Sequence, residues 1–232
     1  MIVIGKKTLI FFVTSIVISV FCGFGILNAT QNVFEENHIP IVIVDAGHGE
    51  PDGGAVGVNG TLEKDINLAI SKKLEEVLDA KGIRVIMTRT GDMALFENRD
   101  GSLREKKRED MNTRLSIMKK SRADLFLSIH MNSFESKKAN GLHVFYAENH
   151  KEIEELAKKI QEHISGITGA ATHAVKTADK NLFLMKNPPV PAILVECGFI
   201  SNPDEEKKLN EEDYQSRIAW AIAEAVEIYF KE

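Results

Sequence analysis

Cysteine is nearly absent: the 232-residue chain has two. Cys22 lies in an apolar N-terminal run and Cys197 beside an acid, so no disulfide framework holds this fold. No Cys-x-x-Cys pair offers a zinc or redox site. Cys197 has no base near it in sequence and reads as a small core residue. Excess positive charge is missing too. The formal net charge is −5, and Lys6 and Lys7 are the only charges before Glu35, so the remainder carries about −7. Nucleic-acid binders show a basic footprint, so nucleic acid is excluded as a partner. There is no Gly-Lys-Ser/Thr loop and no G-x-G-x-x-G, which removes phosphate cradling. There is no Gly-x-Ser-x-Gly elbow and no His-Glu-x-x-His helix, which removes two common hydrolase designs. No internal repeat occurs. Composition is 44% hydrophobic and 27% charged, which excludes bulk disorder and fits a single globular domain with a sizeable core.

The one long apolar run is residues 8–27, which follows Lys6-Lys7 and holds no charge. A basic start and an apolar stretch of this length predict a signal peptide or signal anchor over 1–29. The protein is then exported across the cytoplasmic membrane, secreted or anchored, with membrane contact only through this leader. Residues 30–39 are a polar linker, and 40–232 form the folded domain.

Within that domain, apolar strand-like runs alternate with helices. Ile41–Asp45, Ile83–Thr88, Leu125–His130, Gly141–Ala147 and Ala192–Glu196 read as strands. Thr61 is placed to cap a helix from Leu62, striped by Ile66, Ile70, Leu74 and Leu78 and closed by Lys81-Gly82. Met111, Leu115 and Met118 mark a helix ending near Ser121. Ile153 to Ile164 and Ile218 to Tyr229 mark two more, and Leu182–Met185 a strand or turn. This βαβ alternation predicts an α/β fold: one domain with a largely parallel twisted sheet flanked by helices. The charged stretch 91–110 is either a solvated loop entering a helix or a substrate-facing lid.

Three of the strands run into chemistry. Asp45 leads to Ala46-Gly47-His48, the third strand ends at His130, and the last ends at Glu196. An acid at the end of a buried strand costs several kcal/mol unless it has a partner or a task. Ligands in open α/β sheets bind at the carboxyl ends of the strands, so parallel neighbours would bring His48, His130 and Glu196 together. Glu63 sits in a helical first turn at the edge of a loop, Gly47 to Gly60, that holds six glycines. It could be aimed back at His48. His48, Glu63 and His130 then form a His₂Glu set suited to catalytic zinc, with Glu196 as general base. Spacing alone leaves this open. His48 is equally a loop residue, His130 a satisfied strand-end histidine and Glu63 an acid at a helix N-terminus. His143 and His173 are ambiguous.

The motifs settle more. Val44-Asp45-Ala46-Gly47-His48-Gly49, Asp52-Gly53-Gly54-Ala55, Leu62-Glu63-Lys64-Asp65-Ile66-Asn67-Leu68 and Thr88-Arg89 precede Ser128-Ile129-His130-Met131-Asn132-Ser133. Leu194-Val195-Glu196-Cys197-Gly198-Phe199-Ile200-Ser201-Asn202 follows. Together they resemble the zinc-dependent N-acetylmuramoyl-L-alanine amidases of the third amidase family, over about residues 40–230. The resemblance implies one Zn²⁺ per chain on His48, Glu63 and His130, and an essential acid at Glu196. It implies a peptidoglycan substrate cut between N-acetylmuramic acid and L-alanine. Asn132, Arg89 and Arg114 are candidate substrate contacts, the two arginines equally structural ion pairs. Ala46 and Glu50 depart from the family's usual proline and glycine, and Cys197 from an aliphatic residue. Within the family the chain resembles the germination-specific amidases of endospore formers. That implies stem-peptide removal in spore cortex before muramic-δ-lactam formation, a place in the forespore envelope, a sporulation accessory protein and a muramic acid deacetylase in the same pathway. The alternatives are a zinc peptidase on stem peptides and a non-catalytic wall-binding module.

Overall fold

The computed structural model describes residues 38–97 and 100–232. The expected leader over 1–29, most of the expected linker, and Arg99 in the charged stretch lie outside them. Residues 40–232 form one compact unit.

The described chain runs β1 (Ile41–Ala46), α1 (Glu63–Ala80), β2 (Arg84–Met87), α2 (Leu103–Ser121), β3 (Leu125–Asn132) and β4 (His143–Tyr146). It continues with α3 (Glu154–Thr168), β5 (Lys176–Thr177), β6 (Ala192–Phe199), α4 (Pro203–Leu209) and α5 (Glu212–Lys231). The strands form one sheet in the order β2-β1-β3-β6-β4-β5. The β2–β1, β1–β3, β3–β6 and β4–β5 pairs are parallel, and β4 lies antiparallel to β6. The largely parallel α/β sheet is as expected, with β1, β3 and β6 as its adjacent centre.

Both faces of that centre are covered, which is why its strands are continuous apolar runs rather than alternating ones. Val42, Val44, Leu127, Ile129 and Val195 share one core with Ile70 and Leu74 of α1 and Ile218 and Ile222 of α5. On the other face Ile43, Phe126 and Leu194 pack with Met118 of α2 and with Leu184 and Met185 of a short 3₁₀ turn. Side chains alternate across a strand with period two. The second face therefore continues from Ile43 to Asp45, from Phe126 through Ser128 to His130, and from Leu194 to Glu196. It is apolar at its base and polar towards the strands' carboxyl ends.

Several boundaries differ from expectation. Thr61 does not cap α1. The helix starts at Glu63 behind an extended Leu62 with no side-chain cap. The glycine loop caps it instead: Ala55 O accepts from Glu63 N (2.9 Å) and Gly53 O from Lys64 N (3.1 Å). The Thr61 hydroxyl accepts from Asn210 Nδ2. β3 and β6 run past His130 and Glu196, so these side chains stand inside the ladder, His130 opposite Glu196. Of the strand or turn expected at Leu182–Met185, the turn is found, as a 3₁₀ helix over Phe183–Met185. α2 begins at Leu103, within the charged stretch, because Ser102 and Glu105 form a reciprocal capping box.

Candidate metal centre

β1 ends at Ala46, and His48 adopts φ +63, a left-handed backbone that is uncommon for a non-glycine residue. That turn is fixed from outside. Arg114 Nη2 donates to His48 O (2.7 Å), and the ring Nδ1 meets Asp52 Oδ2 at 3.0 Å. Glu63, at the first residue of α1, is buried. Its Oε2 accepts from Ala55 N (2.8 Å) and its Oε1 from Met131 N (3.1 Å). The same two oxygens face the histidines: His48 Nε2 to Oε2 at 3.2 Å and His130 Nδ1 to Oε1 at 2.9 Å. One donor atom from each of His48, Glu63 and His130 lies within 4.8 Å of the others, a group that could hold a metal ion.

Backbone must approach closely for this to fit. A Cβ on Gly47 would stand 2.3 Å from the His130 ring, and one on Gly54, at φ +69, 2.6 Å from Glu63 Oε2. Those two glycines let the loop wrap the three side chains.

Charge follows geometry. Burial lowers the His48 pKa, but the hydrogen bonds to Asp52 and Glu63 outweigh it and raise it to about 9. Burial raises the Glu63 pKa, and the two imidazoles overcome this and hold it below the carboxylate range. Glu196 behaves oppositely. Burial pushes its pKa up to about 7 against the pull of His130. Its Oε2 is buried and has no hydrogen-bond partner among the described residues. Cys197 is fully buried on the other face, and burial raises its thiol, which fits a core residue rather than a nucleophile.

A cavity of about 320 Å³ opens over the group. Asn132 and Glu196 line it, and Lys107 and Met111 of α2 face Leu182 and Phe183 across it.

Arg89 and Arg114, expected as substrate contacts or equally as structural ion pairs, both brace the framework of the site. Arg89 is 4% exposed and donates to Ala46 O, Gly47 O, Lys64 O and Gly91 O. Arg114 is 0% exposed and ties Asp45 (2.5 Å), Asp110 (2.9 Å) and Ala46 O together. Most of their N–H groups are spent on the fold, and Arg114 also borders the cavity. Glu50 turns to Lys64 (3.5 Å) rather than to the donor group. His143 and His173 stack at 5.2 Å outside the cavity. Asp52, which holds His48, and Glu206 had no role assigned from sequence. Buried Glu206 of α4 accepts from Asn59 N at 3.0 Å and so pins the glycine loop. Asp52 had a legible signal, four residues after His48 in a turn. Glu206 had none.

Fold and centre together define a class: an α/β enzyme domain with a His–Glu–His group at the carboxyl ends of its central strands. The chain belongs to the Amidase_3 family, N-acetylmuramoyl-L-alanine amidase, whose model matches residues 42–228. The germination-specific N-acetylmuramoyl-L-alanine amidase of Bacillus subtilis is 36% identical over 192 residues, covering 83% of this chain and 80% of that one. The amidase AmiA of Escherichia coli is 31% identical over 233 residues, covering 82% and 76%. Among solved structures, the CwlD amidase of Clostridioides difficile, determined in complex with the GerS lipoprotein, superposes with TM-score 0.79 at 39% identity. That match covers 83% of this chain and 98% of that one. The chain is thus an amidase hydrolase acting on peptidoglycan.

Proposed function

We propose that this amidase is a zinc enzyme of spore cortex. His48, Glu63 and His130 hold one Zn²⁺, Glu196 moves the protons, and Asn132 contacts the substrate. One observation carries the reading: two imidazole nitrogens face the two oxygens of one buried carboxylate. Asp52 accepts only, so His48 Nδ1 donates to it and Nε2 turns a lone pair on Glu63. That juxtaposition needs a positive charge between the groups, a proton or a metal ion. Two nitrogens and a carboxylate, with open cavity beside them, are the donor set of a catalytic zinc site. Zinc bound there polarises a carbonyl and lowers the pKa of a water towards neutrality.

The chain's residues do the rest. Ala55 N and Met131 N orient Glu63, and Asp52 fixes the His48 tautomer, so the donors are preset before substrate arrives. Glu196 has a free buried Oε2. It takes the proton of the attacking water there and returns it to the nitrogen of L-alanine as the amide breaks. An acid near neutrality exchanges that proton in both directions. The cavity positions the lactyl carbonyl beside the donor group.

The cortex role and location extend from the germination-specific relative. We place the protein outside the cytoplasmic membrane, in the forespore envelope, held or exported by its N-terminal segment. The lipoprotein complex of the C. difficile relative supports an accessory partner here. A muramic acid deacetylase acts on the product before lactam formation.

Digestion of purified cortex muropeptides, with end-group analysis in zinc and in chelator, tests this. The expected result is free L-alanine amino termini beside intact muramic acid, abolished by chelator and restored by zinc. New termini elsewhere in the stem would make the chain a peptidase. Spores lacking the protein should contain no muramic-δ-lactam; normal lactam content refutes the cortex assignment.

A further inference from the structure

The charged stretch leads out of the catalytic cavity. The capping box at Ser102 fixes the phase of α2, so Arg104, Lys107, Arg108 and Met111 share one face at i, i+3, i+4 and i+7. With Phe183 they line a second hollow of about 420 Å³. Lys107, Met111 and Phe183 also line the cavity above the metal group, so the two spaces are adjacent and share a wall. Arg104, Lys107 and Arg108 are exposed, and Phe183 is 50% exposed. Lys107 Nζ reaches Asp52 Oδ2 at 3.0 Å. Among the described residues, neither arginine has a carboxylate within ion-pair distance. Glu105, the acid on this wall, is committed to Ser102 N and Oγ. In a chain of net charge −5, three cations on one face beside the metal group, one of them paired with Asp52, form a local anion track.

We propose that this face of α2, with Phe183 opposite, is the stem-peptide subsite of the amidase, gripping carboxylates beyond the scissile L-alanine. The proposal rests on the amidase reading above and adds a substrate class: stems with free carboxylates over amidated ones. The dimensions agree. Arg104 to Met111 rises about 10 Å along the helix, and three extended peptide residues span about 10 Å. Arginine suits carboxylates through its planar fork, and Phe183 offers an apolar wall.

The test compares N-acetylmuramoyl-L-alanyl-D-glutamate with its α-amide, the isoglutamine form, as substrates of the zinc-loaded enzyme. Exposed ion pairs are individually weak, so the expected preference for the acid is about tenfold, carried in KM. It should fade as salt rises. The triple variant Arg104→Gln, Lys107→Gln, Arg108→Gln should lose the preference and keep its zinc. A triple variant that retains the preference overturns the proposal. So does one that loses its zinc as well, because Lys107 then acts through Asp52 and His48. Equal cleavage of both substrates by the wild type overturns it while leaving the amidase reading intact, and cleavage of neither overturns both.

Discussion

Arg114→Met should be the costliest single change away from the donor group. The guanidinium is 0% exposed and closes a buried network: Nη1 on Asp45 Oδ1, Nε on Asp110 Oδ2, Nη2 on His48 O. Ser128 Oγ donates to Asp45 Oδ2 at 2.6 Å and Thr88 Oγ1 to Asp45 Oδ1 at 2.8 Å, but hydroxyls bring no charge. Methionine fills the space and strands two buried carboxylates. Removing one partner of a buried pair costs about 3–5 kcal/mol. At about 2–4 °C per kcal/mol for a domain of this size, the melting temperature should fall by about 6–20 °C. The assay is urea and thermal unfolding in excess chelator, so that metal affinity does not enter. A pH series sharpens it. Burial opposes ionisation of Asp45, yet Arg114 and Ser128 hold its pKa below the usual value. A depressed carboxylate stabilises the fold above its unfolded pKa of about 4, and that contribution is lost as pH falls through the folded value. In the variant, burial is opposed only by uncharged hydroxyls and the more distant His130, and ionised Asp45 becomes a penalty above that pH. The gap between wild type and variant should therefore be widest at neutral pH and narrow below about pH 4. Asp45→Asn in the same background should recover part of the loss. A loss under 1 kcal/mol, or strict additivity of the two substitutions, would refute the reasoning.

Other substitutions probe the centre itself. Glu196→Gln should bind zinc normally and lose about 10²–10⁴ in turnover, as for a general base; robust hydrolysis by that variant sinks the proton-transfer role. Asp52→Asn should weaken zinc binding by about 10–100-fold, because the acceptor that orients the imidazole loses its charge and one of its two oxygens becomes a donor. Competition with a chromophoric chelator reads this directly, and unchanged affinity means Asp52 does not position His48. Gly54→Ala places a Cβ 2.6 Å from Glu63 Oε2 and demands a left-handed alanine. It should cost about 1–2 kcal/mol from the backbone alone and lower zinc affinity as well. A melting curve identical to wild type, with and without zinc, would show that the loop relaxes freely.

Much of this architecture was legible because periodicity and strand-end chemistry are local signals. Ile41–Val44 and Ile193–Val195 had to be buried strands, and Asp45, His130 and Glu196 had to need partners. What sequence hides is long-range. Arg114 sits at the end of a strongly charged run, so it resembles a solvated residue until Asp45, 69 positions away, is seen beside it. α4 has seven residues and little apolar periodicity, so neither the helix nor Glu206 announces itself. β3 and β6 outrun their apolar cores because each is paired by the other, which no single-strand pattern reveals. Thr61 looked like a cap because it is the right residue type, while the loop's own carbonyls perform that task.

The central claim is that two imidazoles and one carboxylate grip a single zinc ion. X-ray absorption at the zinc edge on the reconstituted protein reads the donors without reference to activity. The account predicts nitrogen and oxygen neighbours at about 2.0–2.2 Å, two of them imidazole, with no sulfur, and loss of one imidazole in His130→Ala. A sulfur neighbour near 2.3 Å, or an imidazole count unchanged in that variant, would contradict it.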